Sequence, residues 1–317
     1  MILIPFLQTD AKDGWFLELY IFILIIFLVL KVIRFYAKKQ NKKAAALAGP
    51  PPVTDDTNCL VYVGKNLKFT SAELHEMLVK HFEYYRHLEK ELKKRFVQRL
   101  QVFMDTKTFI IRNREGYKEM PVLLSAAAIQ ITFGLPHFKL PFFNYIQIHP
   151  EEYFAENSLR VLAGHVYGNT ITVAWNHFYK NYQFTDGINV GLHEMAHALY
   201  FQYLVANAKK KNDFVVQFEE VMEECQCVYD GCRETAAQMF TTNAFKDLQE
   251  FWAESLEMFF ERPVQLKVQY PNLYKELCDL LQQDATNKEL PLIGDRKLAW
   301  ESFELSIRSY ISKAVLK

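Results

Sequence analysis

The 317-residue chain has no excess of charge of either sign: 37 Lys and Arg face 37 Asp and Glu. That balance gives no bulk attraction for nucleic acid, and no nucleic-acid partner is expected. Cysteine is scarce. Cys59, Cys225, Cys227, Cys232 and Cys278 are odd in number and irregular in spacing, which excludes a disulfide framework and fits a reducing compartment. Three of them cluster in CQCVYDGC, but paired C-x-x-C spacing and a nearby fourth ligand are missing, so thiols rather than a second metal site are expected there. No internal repeat is present. Apolar residues, by contrast, make up half the chain, with 15% aromatic. That is enough for one large core, or a core plus a membrane segment, so one main domain with appendages is expected.

The run WFLELYIFILIIFLVLKVIRFY, residues 15–36, is almost free of charge between Leu19 and Leu30. As a helix it is long enough to cross about 30 Å of hydrocarbon. Glu18, Lys31 and Arg34 lie towards its ends, and Trp15, Phe35 and Tyr36 suit the interfaces. A cleaved signal peptide wants basic residues ahead of the apolar run, whereas here Asp10, Asp13 and Glu18 outweigh Lys12. Lys31, Arg34, Lys38, Lys39, Lys42 and Lys43 follow the segment. The positive-inside rule therefore places residues 1–14 outside, 15–36 as a single-pass inner-membrane helix, and the rest in the cytoplasm. Residues 37–58, polar and rich in alanine and proline, read as a flexible tether.

Beyond the tether, apolar positions recur every three or four residues from Ser71 to Asp105, the mark of one long amphipathic helix or two. PVLLSAAAIQITFGL reads as a buried helix ending at Gly134. NYIQIHP, LRVLAGHVYG and NTITVAW read as short strands separated by turn residues. Helices are expected again over 189–205, 213–239, 247–261 and 264–282. The fold class is α+β, mainly helical with a small central sheet, in a domain spanning 59–290. Residues 291–317 finish in an amphipathic, helical extension.

The chemistry centres on GLHEMAHALYF, residues 191–201. On a helix, His193 and His197 share one face. Their nitrogens suit one tetrahedral zinc ion at about 2.0–2.1 Å. Glu194 lies beside them, where a carboxylate can take the proton of a water whose pKa zinc lowers towards about 7. Two histidines do not close a site, and LQEFWAESLEMFFERP supplies acids for a third ligand. Glu250 and Glu254 sit one turn apart among apolar neighbours, where an unpartnered carboxylate is costly. His165 and His177 precede the motif and are weaker candidates for lining a cleft; His137 and His149 read as ordinary loop histidines.

DGINVGLHEMAHALYF together with EFWAESLEMFFERPVQLKVQYPNLYKELCDLL resembles the zinc metallopeptidases of the Mlc titration factor A type. These belong to the glutamate-ligand zincins and resemble the catalytic domain of anthrax lethal factor. The resemblance runs from about residue 75 to 283. It implies a zincin-like fold with His193, His197 and Glu250 as zinc ligands and Glu194 as general base. Glu254 falls where lethal factor carries an acid that orients a ligand histidine. The resemblance also implies peptidase activity of aminopeptidase-like preference on peptide or protein substrates. One departure stands out: the family places a tyrosine seven residues before the ligand glutamate, where this chain has Asn243, and Met239 or Phe240 is the alternative counterpart. The expectation is a membrane-anchored zinc peptidase facing the cytoplasm, with substrate backbone added to a strand of the NTITVAW region. The alternative is a zinc-stabilised binding protein that sequesters a transcriptional regulator, with weak or no turnover.

Overall fold

The computed structural model describes residues 58–155, 158–207, 212–232 and 239–293. The expected span over 15–36, the tether up to residue 57 and the extension from residue 294 onward lie outside the described residues. Among the described residues, no helix is long and apolar enough to cross a membrane.

The chain opens with β1 (Leu60–Val63), then α1 (Ser71–His81), α2 (Glu83–His87) and α3 (Lys90–Met104). The amphipathic stretch expected as one or two helices is therefore three. Thr70, not Ser71, caps the first: its hydroxyl accepts from the Glu73 backbone N–H, and Glu73 reaches back to the Thr70 N–H. Phe82 then leaves the helical region, at φ −128° and ψ 98°, and its ring stacks on Tyr182 with centroids 4.8 Å apart. Breaking the helix there lets Phe82, Tyr85, Leu88 and Phe96 all reach the core from a row too long for one straight rod.

Next come β2 (Thr108–Ile111), α4 (Glu119–Thr132), β3 (Tyr145–His149), β4 (Tyr153–Ala155), β5 (Arg160–Leu162), β6 (Gly164–Tyr167) and β7 (Thr170–Ala174). The sequence pattern missed β1, β2 and β4; LVYV and TFII are too short to show a period of two. The main sheet runs β1-β2-β3-β7-β6, and β4 pairs with β5 in a separate two-stranded ribbon. Within the main sheet β2, β3 and β7 are parallel, while β1 and β6 run antiparallel at the two ends. The strand of NTITVAW is thus hydrogen-bonded on both sides and has no free edge for substrate. That edge belongs to β6, GHVY.

Two buried cations tie down the loop after α4. Arg99 donates to the carbonyls of Phe133 and Leu135 at 2.8 and 2.7 Å. Lys107 donates to those of Lys139, Leu140 and Phe143 at 2.7–3.0 Å, which satisfies loop carbonyls that would otherwise be buried without donors. The helical half follows as α5 (Trp175–Asn181), α6 (Val190–Asn207), α7 (Asp213–Cys232), α8 (Leu248–Glu261), α9 (Pro263–Gln269) and α10 (Pro271–Leu281). α6 packs against α4, α8, β6 and β7. It is apolar around its whole circumference, as a helix at the centre of a domain must be.

Candidate metal centre

Asn189 starts α6. Its side-chain oxygen accepts from the Leu192 N–H at 3.1 Å, and its backbone carbonyl accepts from the His193 N–H at 2.9 Å. From that cap the register is set: Leu192, Met195, Ala196 and Leu199 are buried against neighbouring elements, and His193 and His197 turn together towards α8. The indole N–H of Trp252, on α8, donates to the Ala196 carbonyl at 2.9 Å and pins the two helices at the level of the histidines.

α8 begins at Asp247, whose carboxylate accepts from the N–H groups of Gln249 and Glu250 at 2.9 and 3.0 Å. This places Glu250 in the first turn, where the helix dipole favours a negative charge. His193 Nε2 lies 3.1 Å from His197 Nε2 and 3.2 Å from Glu250 Oε2; His197 Nε2 is 3.5 Å from Glu250 Oε1. A tetrahedral ion with bonds of about 2.0–2.1 Å holds its ligand atoms about 3.3 Å apart. The three groups are the one set among the described residues arranged to hold a metal ion. Two imidazole nitrogens and a carboxylate aimed at one point repel unless positive charge lies between them.

The electrostatics locate that charge. Burial opposes protonation of His193, yet the acids Glu257, Glu250 and Glu194 around it raise its pKa well above the ordinary value. Glu250 moves the other way: hydrogen bonds from His193 and His197 hold it far below the usual carboxylate range, against the effect of burial. A cation among these groups would be stabilised by the same field. Glu194 is 4% exposed. Burial lifts its carboxyl to about 7, opposed by the two histidines. Its Oε2 has no hydrogen-bond partner among the described residues, as expected of a base kept ready for a partner that is not part of the chain. Its Oε1 lies against β6, and a Cβ added at Gly164 would come within 2.6 Å of it. Only glycine allows the edge strand to approach the base this closely.

His193, Glu194, His197 and Glu250 thus meet as the sequence pattern expected. Glu254 does not take the expected place. Its carboxylate accepts from the backbone N–H and hydroxyl of Thr241 at 2.9 and 2.5 Å, and it touches neither histidine. Glu257 orients the ligand histidine instead, accepting from His193 Nδ1 at 2.7 Å while its other oxygen accepts from the Asn189 N–H at 2.5 Å. Glu257 is seven residues beyond Glu250 and so returns to the same helix face; that spacing was the signal available in the sequence. Gly164 carried no signal at all.

The remaining candidates stay apart. His165 Nδ1 bonds the Tyr153 hydroxyl at 2.5 Å, and His177 pairs with Glu152 at 3.0 Å on the surface; neither joins the metal-ligand group. Asn243 is exposed, and Met239 and Phe240 are buried in the core, so none of the three supplies the hydroxyl that the family tyrosine would. Cys225 is buried and Cys227 exposed on the same helix, so these two thiols face different surroundings. No curated protein matches the chain. Residues 65–282 match the sequence pattern of the glucose-regulated metallo-peptidases M90. With more than half its length matched and a His-His-Glu cluster at the centre of the matched region, the chain belongs to that metallopeptidase family.

Proposed function

We propose that the protein is a zinc-dependent peptidase, tethered to the inner membrane by residues 15–36 with its catalytic domain at the cytoplasmic face. The observation that carries this reading is the convergence of His193, His197 and Glu250 at tetrahedral spacing, beside a buried carboxylate, Glu194, with an unpartnered oxygen. Two nitrogens and one carboxylate oxygen suit zinc and leave its fourth position open. A zinc ion there supplies Lewis acidity for the scissile carbonyl and activates water near neutral pH. Glu194 takes the proton from the attacking water and passes it to the leaving amine. Glu257 fixes His193 with Nε2 directed inward. The free edge of β6 accepts the substrate backbone as an added strand, and Gly164 keeps that strand close to Glu194.

Metal analysis and peptide hydrolysis on the full-length protein test this. Glu194→Gln is expected to retain about one zinc per chain and lose hydrolysis; retained activity refutes the mechanism. An aminopeptidase-like preference, proposed from the family resemblance, predicts that acetylated peptides resist cleavage. A second reading, a metal-stabilised protein that binds a transcriptional regulator, is favoured by Asn243 standing where the family has a tyrosine. Losing an oxyanion donor of that kind costs about 10²–10³ in rate. Capture of a regulator that depends on the intact fold but not on Glu194 would support the second reading.

A further inference from the structure

Away from the metal centre, three buried polar atoms have no hydrogen-bond partner among the described residues: Gln130 Oε1, the Tyr182 hydroxyl and Glu261 Oε2. All three residues line one cavity of about 100 Å³. Gln130 comes from α4, Tyr182 follows α5, and Glu261 ends α8, so three separate segments contribute. Gln130 is only 5% exposed. An orphaned buried polar atom disfavours folding, and three around one space imply a partner supplied from outside.

The chemistry of the atoms selects that partner. Gln130 Oε1 only accepts hydrogen bonds, a Glu261 carboxylate oxygen only accepts, and the Tyr182 oxygen accepts readily. Glu261 is oriented by the Asn189 side chain, which donates to its Oε1 at 3.0 Å and leaves Oε2 unclaimed. Burial raises the Glu261 carboxyl to about 7, the behaviour of an acid lacking a cation. The rings of Tyr84, Tyr182 and Phe260 complete the wall. Aromatic faces favour an organic cation over a strongly hydrated metal ion. The cationic groups at the mouth, Lys288 and His87, are both turned to Glu83, at 3.1 and 3.5 Å.

We propose that this cavity binds the ammonium group of a small primary alkylamine, its three N–H donors shared among Gln130, Tyr182 and Glu261. An ammonium has three donors to match three acceptors, and the volume is about three times a water's share of roughly 30 Å³, room for the head and a short alkyl stem. The site is distinct from the metal centre, because Glu261 lies about three turns, roughly 16 Å, beyond Glu250 along α8. It does not depend on the proposed peptidase reaction.

Isothermal titration calorimetry of the full-length protein with n-propylammonium chloride tests it, with potassium chloride at matched ionic strength as the comparison. Saturable propylammonium binding is expected, with at least about tenfold weaker affinity in Glu261→Gln, which removes the charge-assisted bond. Gln130→Leu should weaken binding comparably while its thermal midpoint stays level or rises, since it removes an orphaned atom. No saturable heat in the native protein, equal affinity for potassium, or undiminished affinity in Glu261→Gln would each overturn the assignment.

Discussion

Replacing Glu257 by glutamine separates the two candidates for the acid behind the metal ligands. Glu257 Oε1 accepts from His193 Nδ1 at 2.7 Å and its Oε2 accepts from the Asn189 N–H at 2.5 Å, so both oxygens are committed as acceptors. Glutamine offers one acceptor and one donor. If its carbonyl serves His193, its amide meets the Asn189 N–H donor to donor; if it serves Asn189, His193 loses its anchor. The loss of the ionic partner makes the imidazole a poorer ligand, which typically weakens metal binding about 10–100-fold, or about 1.4–2.7 kcal/mol. The mismatched donor adds about 1–3 kcal/mol of lost fold stability without metal. Glu254→Gln, by contrast, disturbs only the Thr241 contacts and should leave zinc affinity within about threefold. Competition against a chromophoric zinc chelator measures the affinities, and urea unfolding of metal-free protein measures the stability. If Glu254→Gln loses zinc affinity while Glu257→Gln keeps it, the geometry read here is wrong.

Gly164→Ala places a methyl 2.6 Å from Glu194 Oε1 and 2.7 Å from its Cγ. Displacing the base should lower kcat by about 10–100-fold with metal content unchanged; an unaffected kcat would remove the close approach of β6 from the mechanism. Lys107→Met leaves the Lys139, Leu140 and Phe143 carbonyls without their donor. A loss on the order of 3 kcal/mol in urea unfolding is expected. Burial raises Glu261 to about 7 from an ordinary 4.5, so the folded state holds its proton more tightly than the unfolded chain. Its contribution is therefore present at low pH and lost as pH rises through about 7. Without amine, Glu261→Gln should match the native protein near pH 4 and be the more stable at pH 8, by at most about 3 kcal/mol. A stability difference that stays flat between those two pH values would exclude the raised carboxyl.

Local geometry alone settles a good part of this protein. Any helix through residues 193–197 sets both imidazoles on one face, because four residues span little more than a turn. An Asp at 247 caps a helix whose third residue is then an acid, and both facts are readable from neighbouring side chains. Contacts between distant segments are another matter. Whether Glu254 or Glu257 reaches His193 depends on how α8 is rotated against α6, which the Trp252–Ala196 bond and the buried faces of both helices fix. Whether β6 or β7 offers a free edge depends on strand order, which a run of four or five residues cannot carry. The cavity of Gln130, Tyr182 and Glu261 joins three segments up to 131 positions apart, and its unpartnered atoms exist only after those segments pack. Short-range hydrogen bonding writes the ligands into the chain, whereas their partners, the substrate edge and the second cavity arise from burial between elements that no local pattern relates.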